Sequence, residues 1–238
     1  MCFKMSARRF VCLDFETNGF PPKTEGEDWP LPFHSYPIQL SVDVVEDGAV
    51  AHHWDTLICG ATQLCTWVQR NVPLTLPETS REGIPLGDAV LCLDLLLKDG
   101  DTIVIHNADF DINMVLRRSM AMLQFNNNPH VQNACGRIIR APRFCTMKSA
   151  YARSVFGKWP TLRELCDHFE VQLTNAHDAR GDSKALADCV VEAMRRGVML
   201  NIEAFIHERS EARAQRDSVS ACRARTPRAS SPPISGGL

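Results

Sequence analysis

The order in which strand-like and helix-like segments follow one another constrains the fold of this chain more than any other feature. The run Phe10–Phe15 is almost wholly apolar, which is typical of a buried strand. Ile38–Val45 and, more weakly, Val50–Trp54 alternate with period two, and Glu46-Asp47-Gly48 between them predicts a hairpin turn. The chain is therefore expected to open as a meander of three strands.

After the meander, the apolar period changes from strand to helix, with one further strand between the helices. That strand is Thr102–Ile105, a short β-branched run. Helices are indicated by apolar residues at helical spacing, by Pro85 as a helix start and by a capping box at Thr161–Glu164. The predicted helices span about residues 62–71, 85–99, 110–123, 161–169 and 185–196. Because three strands come first and a further strand lies among the helices, we predict an α/β domain with a mixed sheet.

Other segments lack this periodicity. Residues 20–37 contain five prolines and are predicted to form a loop, residues 72–84 are predicted to be irregular, and Pro129 is expected to break a helix. Residues 209–238 hold six arginines, two acids and almost no large apolar side chain, which is typical of a disordered tail. We therefore predict a folded domain over residues 1–208 and a tail over 209–238.

Composition excludes several classes of protein. With 45% hydrophobic and 23% charged residues, the chain is not disordered throughout, and its net charge of −2 excludes a binder that holds nucleic acid by bulk positive charge alone. Ten cysteines occur without a C-x-x-C pair, which disfavours a zinc site and predicts reduced thiols. Strand-like sequence from Phe10 and the lack of a long apolar stretch predict a soluble intracellular protein with no membrane partner.

Acidic residues stand where predicted strands and helices meet loops. Asp14 and Glu16 end the first strand two residues apart, so their side chains project from one face. Asp111 and Asp182 lie in the first turns of predicted helices, and His177 shortly precedes the last of these. Taken singly, each acid is better explained as a solvated strand end or as a helix-start residue favoured by the dipole. Together, four carboxylates suit two Mg²⁺ ions about 4 Å apart, and a nearby histidine suits proton transfer.

Three segments containing these residues resemble the three exonuclease motifs of the DEDDh 3′–5′ exonucleases, in the family's order. Motifs I, II and III are Asp14-Phe-Glu-Thr-Asn-Gly19, His106-Asn-Ala-Asp-Phe-Asp111 and His177-Asp-Ala-Arg-Gly-Asp182. Residues 37–40 are similar to the family's second strand, and residues 145–153 and 159–171 to the helices between motifs II and III. The resemblance covers about residues 9–196 and is strongest to the proofreading epsilon subunit of bacterial DNA polymerase III and its stand-alone relatives.

The resemblance implies an α/β ribonuclease H-like exonuclease fold, with a mixed five-stranded sheet flanked by helices. It implies that two Mg²⁺ ions, for which Mn²⁺ can substitute, are held by Asp14, Glu16, Asp111 and Asp182. It also implies that His177 is the general base. The residues implied at the 3′-terminal nucleotide, or in support of the site, are Thr17, Gly19, His106, Asn107 and Phe110. For Phe110, packing in the core is the preferred role.

By the same resemblance, the chain is expected to hydrolyse DNA from 3′ ends and release nucleoside monophosphates, in proofreading or repair. RNA as substrate and a non-catalytic nucleic-acid-binding subunit are the alternatives. Residues 20–37 form a longer stretch than in the proofreading subunit and adjoin the expected 3′-end site. The tail contains no apolar segment similar to a polymerase-binding element, so nucleic acid is the expected partner and a polymerase partner is unsupported. The tail's arginines could add phosphate contacts, although a solvated extension is the simpler interpretation.

Overall fold

The computed structural model describes residues 9–19, 36–116 and 128–198 of the 238-residue chain. Its strands are β1 (Arg9–Thr17), β2 (Pro37–Glu46), β3 (Ala49–Cys59), β4 (Ile84–Pro85), β5 (Thr102–Ile105) and β6 (Arg143–Cys145). They form one mixed sheet in the order β4-β3-β2-β1-β5-β6. The mixed sheet that the order of the elements predicts is therefore present.

Strands β1, β2 and β3 form the predicted antiparallel meander. Asp14 of β1 lies opposite Ser41 of β2, and Ser41 lies opposite Asp55 of β3. The hairpin between β2 and β3 turns at Asp47 and Gly48, whose φ angles are 52° and 82°. Two successive positive φ angles give the tight turn whose twist matches that of the strands, and Asp-Gly favours it. The prediction of the meander and its turn is confirmed.

The other half of the sheet is parallel. Cys12 of β1 lies opposite Val104 of β5, and Val104 lies opposite Phe144 of β6. Parallel neighbours require crossover connections, which the helices after β3 and β5 supply. Because both faces of this half are covered, β5 is buried at each of its residues.

The described ranges contain seven α-helices and one π-helix. The α-helices are α1 (Thr66–Asn71), α2 (Leu76–Glu82), α3 (Leu86–Leu96), α4 (Pro129–Arg140), α5 (Ala150–Phe156), α6 (Leu162–Phe169) and α7 (Ala179–Arg195), and the π-helix spans Asp109–Leu116. π-helical turns are rare and occur frequently at functional sites. The one described here begins within motif II.

Side chains alternate along β1 and divide the core into two parts. Leu13 points to the face that Leu93 of α3 covers. Cys12 points to the opposite face, where it packs in one cluster with Leu186 of α7. The two carboxylates at the end of β1 continue the Cys12 row. They therefore face α7, which is the helix that begins in motif III.

The structure contains elements that the sequence patterns do not predict. The segment expected to be irregular holds α2, which Thr75 and Glu78 begin with a capping box. Pro129, expected only to break a helix, is the first residue of α4, where its missing N–H is not needed. The sheet has six strands instead of five, because β4 adds a two-residue edge strand. Two residues are too few to show a period-two pattern.

Some expectations fall outside the described residues. The helix predicted over 110–123 is described as far as Leu116, and only as the π-helix. Most of the predicted loop over 20–37 and the whole predicted tail over 209–238 lie outside the description, so the domain boundaries stay predictions. Eight cysteines lie in the described ranges and carry free thiols. Among the helices described, none has the length and apolar character needed to cross a membrane.

Candidate metal centre and active site

Three elements bring the four predicted carboxylates to the same end of the sheet. Asp14 and Glu16 lie near the end of β1, Asp111 in the first turn of the π-helix and Asp182 in the first turn of α7. The backbone N–H of Phe15, between the two β1 acids, donates to Asp111 Oδ1 at 3.1 Å. This bond ties the π-helix to the strand end and holds Asp111 beside the β1 acids.

His177 lies against Glu16 and Asp182. One potential ligand atom from each of these three residues lies within 4.8 Å of the others. The backbone N–H of His177 donates to Asp182 Oδ2 at 3.1 Å, whereas Asp182 Oδ1 is buried without a hydrogen-bond partner among the described residues. A buried carboxylate oxygen without a partner is destabilising unless a cation binds it. The geometry therefore fits a divalent cation at this position.

Burial raises the pKa of each of the four carboxylates, and repulsion between these acids adds to it for Asp14 and Glu16. Burial is the larger cause for Asp14, whose pKa lies well above its usual range, and the charges of Asp111, Glu16 and Asp182 add to it. Burial, together with the charges of Asp182 and Asp111, raises the pKa of Glu16 to about 8. Burial raises the pKa of Asp111 to about 8, against the effect of the Phe15 N–H. Burial also raises the pKa of Asp182 to about 6.

The donor set suits hard divalent cations. Carboxylate oxygens are the preferred protein ligands of Mg²⁺ and Mn²⁺, and a cation beside a carboxylate favours its ionised form. Cations at this cluster would therefore favour the ionised carboxylates and oppose the rise of their pKa values. The residues present fit the metal ions that the motifs imply.

The turn before α7 and the first turn of α7 are shaped by close backbone contacts. A Cβ placed on Gly181 would lie 2.3 Å from the carbonyl oxygen of Thr174, so only glycine fits there. His177 itself has a φ angle of 65°, in the left-handed region. This backbone conformation turns the chain so that the N–H of His177 reaches Asp182.

A buried glutamine of β2 fixes the N-terminus of α7. Gln39 is 3% exposed, and its side-chain amide donates to Asp178 Oδ1 at 2.8 Å. Its Oε1 accepts the backbone N–H of Ala179 at 3.0 Å. Gln39 therefore positions the helix that carries Asp182. The only sequence signal for this role is its place in the segment similar to the family's second strand.

The rest of motif I forms a buried turn at the end of β1. The Thr17 hydroxyl donates to the carbonyl oxygen of Gly19 at 2.9 Å. Asn18 donates its backbone N–H to the Tyr36 carbonyl at 2.9 Å, and its Oδ1 accepts the Tyr36 N–H at 2.9 Å. The Asn18 carbonyl accepts the N–H of Cys65, the residue before α1, at 2.9 Å. Motif I thus fixes the position at which α1 begins.

The remaining predicted residues of motif II support the site from within the protein. His106 Nε2 donates to the Pro160 carbonyl at 3.1 Å, and its Nδ1 accepts from Thr146 Oγ1 at 2.9 Å. Burial lowers the pKa of His106 to about 4, so its ring is neutral. Asn107 has a φ angle of 78° and accepts the Phe110 N–H at 2.8 Å. Phe110 is partly buried and packs against the larger core cluster, the role preferred for it from sequence.

Two tryptophans beside the motifs are not singled out by the sequence. The ring of Trp67, in α1, meets the ring of His177 edge to face, with centroids 5.0 Å apart and planes at 80°. Trp159 lies between α5 and α6 under Lys148, whose Nζ is 4.9 Å from the ring centre and pairs with Asp109 of motif II. Trp67 is 38% exposed and Trp159 is 59% exposed. A lone tryptophan gives no periodic signal, so only the fold reveals these neighbours.

Sequence comparison gives no match to a protein-family model and none to a curated protein. Solved structures do match, at low identity. Pop2p of S. pombe, in an Mg²⁺- and Mn²⁺-bound form, has a TM-score of 0.58 and 14% identity over 79% of this chain and 83% of its own.

Two further structures share the fold. E. coli exonuclease I, in a zinc-bound complex with single-stranded DNA, has a TM-score of 0.64 and 17% identity over 85% of this chain. The match covers 43% of exonuclease I, so this chain corresponds to less than half of that protein. A 3′-exonuclease that recognises the 3′ end of a histone mRNA stem-loop has a TM-score of 0.55 and 15% identity, over 80% of this chain and 83% of its own. The chain therefore has the ribonuclease H-like exonuclease fold that its motifs imply.

Proposed function

We propose that this chain is a metal-dependent 3′–5′ exonuclease of the DEDDh type, which hydrolyses phosphodiester bonds at DNA 3′ ends and releases nucleoside monophosphates. The observation that carries the proposal is the convergence of Asp14, Glu16, Asp111 and Asp182 with His177, including one buried oxygen of Asp182 that has no hydrogen-bond partner within the described ranges. The fold shared with exonuclease I and the histone mRNA 3′-exonuclease supports it.

The four carboxylates would hold two Mg²⁺ or Mn²⁺ ions, which when bound stabilise the charge of an in-line displacement at phosphorus. His177 takes the proton from the attacking water, because an imidazole is suited to accept a proton at neutral pH. Its side chain is exposed, so the proton can pass on to solvent. The hydrogen bond from its backbone N–H to Asp182 keeps His177 beside a carboxylate that would bind metal.

The remaining motif residues shape the ends of the site. Thr17 and Gly19 close the turn at the end of β1, where the 3′-terminal nucleotide would lie. His106, Asn107 and Phe110 hold the motif II turn that presents Asp111. We assign this activity to the domain predicted over residues 1–208, with the segment 209–238 as a separate tail.

A substrate panel tests the proposal. The full chain is incubated with 5′-labelled single-stranded DNA, duplex DNA and RNA, with Mg²⁺ and then with EDTA. We expect DNA to shorten stepwise from its 3′ end with Mg²⁺ and to stay intact with EDTA. His177→Ala should lower the rate about 10²- to 10⁴-fold, the usual contribution of a general base.

Matched variants localise the chemistry. Asp182→Asn should remove activity, whereas Asp188→Asn, about 1.7 turns further along α7 and paired with Lys184, should keep it. Undiminished activity in an Asp14→Ala and His177→Ala double variant would show that the assigned site is wrong. Binding of DNA without hydrolysis, with either Mg²⁺ or Mn²⁺, would favour a non-catalytic binding subunit.

RNA is the second candidate substrate. The similarity to the 3′-exonuclease that recognises a histone mRNA stem-loop favours it. Discrimination of RNA would need contacts to the 2′-OH, which lie outside the three motifs. Degradation of RNA alone in the panel would replace the DNA assignment with an exoribonuclease.

A further inference from the structure

Trp159 is more exposed to solvent than Trp67, the other tryptophan beside the motifs. Among the described residues, the exposed large apolar side chains are Val50, Trp67, Leu95, Val155 and Trp159. Trp159 combines the largest type of side chain with 59% exposure. Exposed aromatic rings with a polar neighbour are typical of binding surfaces, since they offer a large contact area with little loss of side-chain freedom.

Two independent contacts fix Trp159 beside motif II. The carbonyl oxygen of the next residue, Pro160, accepts the Nε2–H of His106 at 3.1 Å. Lys148 lies over the Trp159 ring at 4.9 Å and forms an ion pair with Asp109, which precedes Asp111 by two residues. Trp159 and Lys148 therefore lie beside motif II, which supplies Asp111 to the candidate metal centre.

We propose that Trp159 and Lys148 form a subsite for one unpaired nucleotide of the substrate strand, with its base on the Trp159 ring and its phosphate on Lys148. Aromatic rings and cations in one groove are the groups that bind single strands without sequence preference. Lys148 covers one part of the ring through a cation–π contact, and the exposed remainder is open to a base.

The subsite favours unpaired strands over blunt duplexes. An interior base of a duplex is covered on both faces by its neighbours, so it cannot also stack on Trp159. Stacking does not depend on the sugar, so DNA and RNA strands share this chemistry. The identity of the strand as substrate rests on the proposed function, whereas the subsite itself is defined by binding.

Equilibrium binding tests the subsite without hydrolysis. Fluorescence anisotropy of labelled oligothymidine, oligouridine and a blunt DNA duplex is measured with the full chain in EDTA. Trp159→Ala should raise the Kd for the single strands about 5- to 100-fold, the usual effect of losing one stacked base. Trp159→Phe should keep most of the affinity, and the Kd for the blunt duplex should not change. Leu95→Ala, an exposed apolar side chain on α3, is the matched control and should leave all three Kd values unchanged.

The role of the ion pair between Lys148 and Asp109 is tested by the salt dependence of the Kd for single strands. Lys148→Gln should weaken single-strand binding and reduce the slope of log Kd against log salt by about 0.7, the value for one phosphate contact on a single strand. Asp109→Asn should tighten binding, because the Asp109 carboxylate competes with phosphate for Lys148. Lys184→Gln, on the exposed face of α7, is the control and should change neither Kd nor slope.

The results separate this subsite from the proposed function. Unchanged single-strand Kd in Trp159→Ala would overturn the subsite, even if the wild-type chain degrades DNA. Equal weakening of duplex and single-strand binding would also overturn it, because the subsite requires an unpaired base. If the chain binds strands through Trp159 but hydrolyses none with Mg²⁺, the subsite stands and the nuclease assignment falls. If the wild-type chain binds no strand in EDTA but shortens DNA with Mg²⁺, the subsite falls and the nuclease assignment stands.

Discussion

Individual residues in the turn before α7 and in the first turn of α7 have little conformational freedom. Gly181 lies so close to the Thr174 carbonyl that no side chain fits, and His177 adopts a left-handed backbone. Such conformations persist only where the surrounding structure holds them, and they occur often at functional sites. In this chain the turn delivers both the candidate base and Asp182 to the end of β1.

Gly181→Ala tests this constraint. The added Cβ would lie 2.3 Å from the Thr174 carbonyl, so the backbone must move. We expect the free energy of unfolding to fall by about 1–3 kcal/mol, the usual range for local strain, and activity to fall with it. Urea denaturation in EDTA measures the first effect.

Gly136→Ala in α4 is the matched control for Gly181→Ala. A Cβ there would meet only the flexible end of Arg140, at 3.0 Å. Alanine is also the better helix former by about 1 kcal/mol. This variant should therefore be as stable as wild type or more stable, and equal losses in the two variants would contradict the steric explanation.

Among the elements, the short helix α1 links two of the three motifs. Its first residue follows Cys65, whose N–H donates to Asn18 of motif I. One residue into the helix, Trp67 packs edge to face on His177 of motif III. A helix outside every motif thus orients the ring of the candidate base.

Trp67→Ala should lower kcat more than it raises KM. Without the Trp67 ring, the imidazole of His177 loses a neighbour that restricts its orientation, and misplaced catalytic groups lose about 10-fold or more in rate. Trp67→Phe keeps an aromatic edge and should recover most of kcat. Steady-state kinetics on a 3′-labelled oligonucleotide separates the parameters. A raised KM with unchanged kcat would instead mean that Trp67 contacts substrate.

Sequence periodicity predicts the meander and the acids at its edge, because strand alternation and the position of Asp14 and Glu16 follow from local geometry. It does not predict α2 or α4, because Pro77 and Pro129 look like breaks although each stands in the first turn of a helix. The supporting residues Gln39 and Trp67 are also missed. Their roles depend on partners distant in sequence, which no local pattern encodes.

At the scale of the whole molecule, the net charge is near neutral although the four carboxylates of the candidate metal centre form a concentrated acidic site. The net charge of −2 includes four clustered carboxylates, and the six arginines and two acids of residues 209–238 offset part of the remaining negative charge. Burial and the charges of neighbouring acids raise the pKa of Glu16 from 4.5 to about 8, and burial raises the pKa of Asp111 from 3.8 to about 8. Without metal, the folded protein therefore keeps protons that the unfolded chain has lost.

This difference predicts how stability depends on pH. Between about pH 4 and pH 8 the folded state binds more protons than the unfolded state, so stability falls as pH rises through this window. We expect Tm in EDTA to fall from pH 5 to pH 8 and Mg²⁺ to raise Tm more at pH 8. Differential scanning fluorimetry measures both effects.

Removing the Asp14 carboxylate tests whether the clustered acids cause this pH dependence of Tm. Asp14→Asn should raise Tm in EDTA at pH 8, since it removes one of the repelling carboxylates, and should reduce the response to Mg²⁺. Asp188→Asn, outside the cluster, should do neither. A metal-free Tm that stays level from pH 5 to pH 8 would contradict the raised pKa values.

The position of α7 along the chain has a consequence for biosynthesis. Three of the carboxylates come from β1 and the π-helix, whereas His177 and Asp182 come from the turn and helix that follow every other described element. A ribosome-bound chain exposes β1 long before it can present the candidate base. Under the proposed function, a partly translated chain cannot degrade nucleic acid near the ribosome, and hydrolysis begins only once α7 has emerged and docked on the sheet.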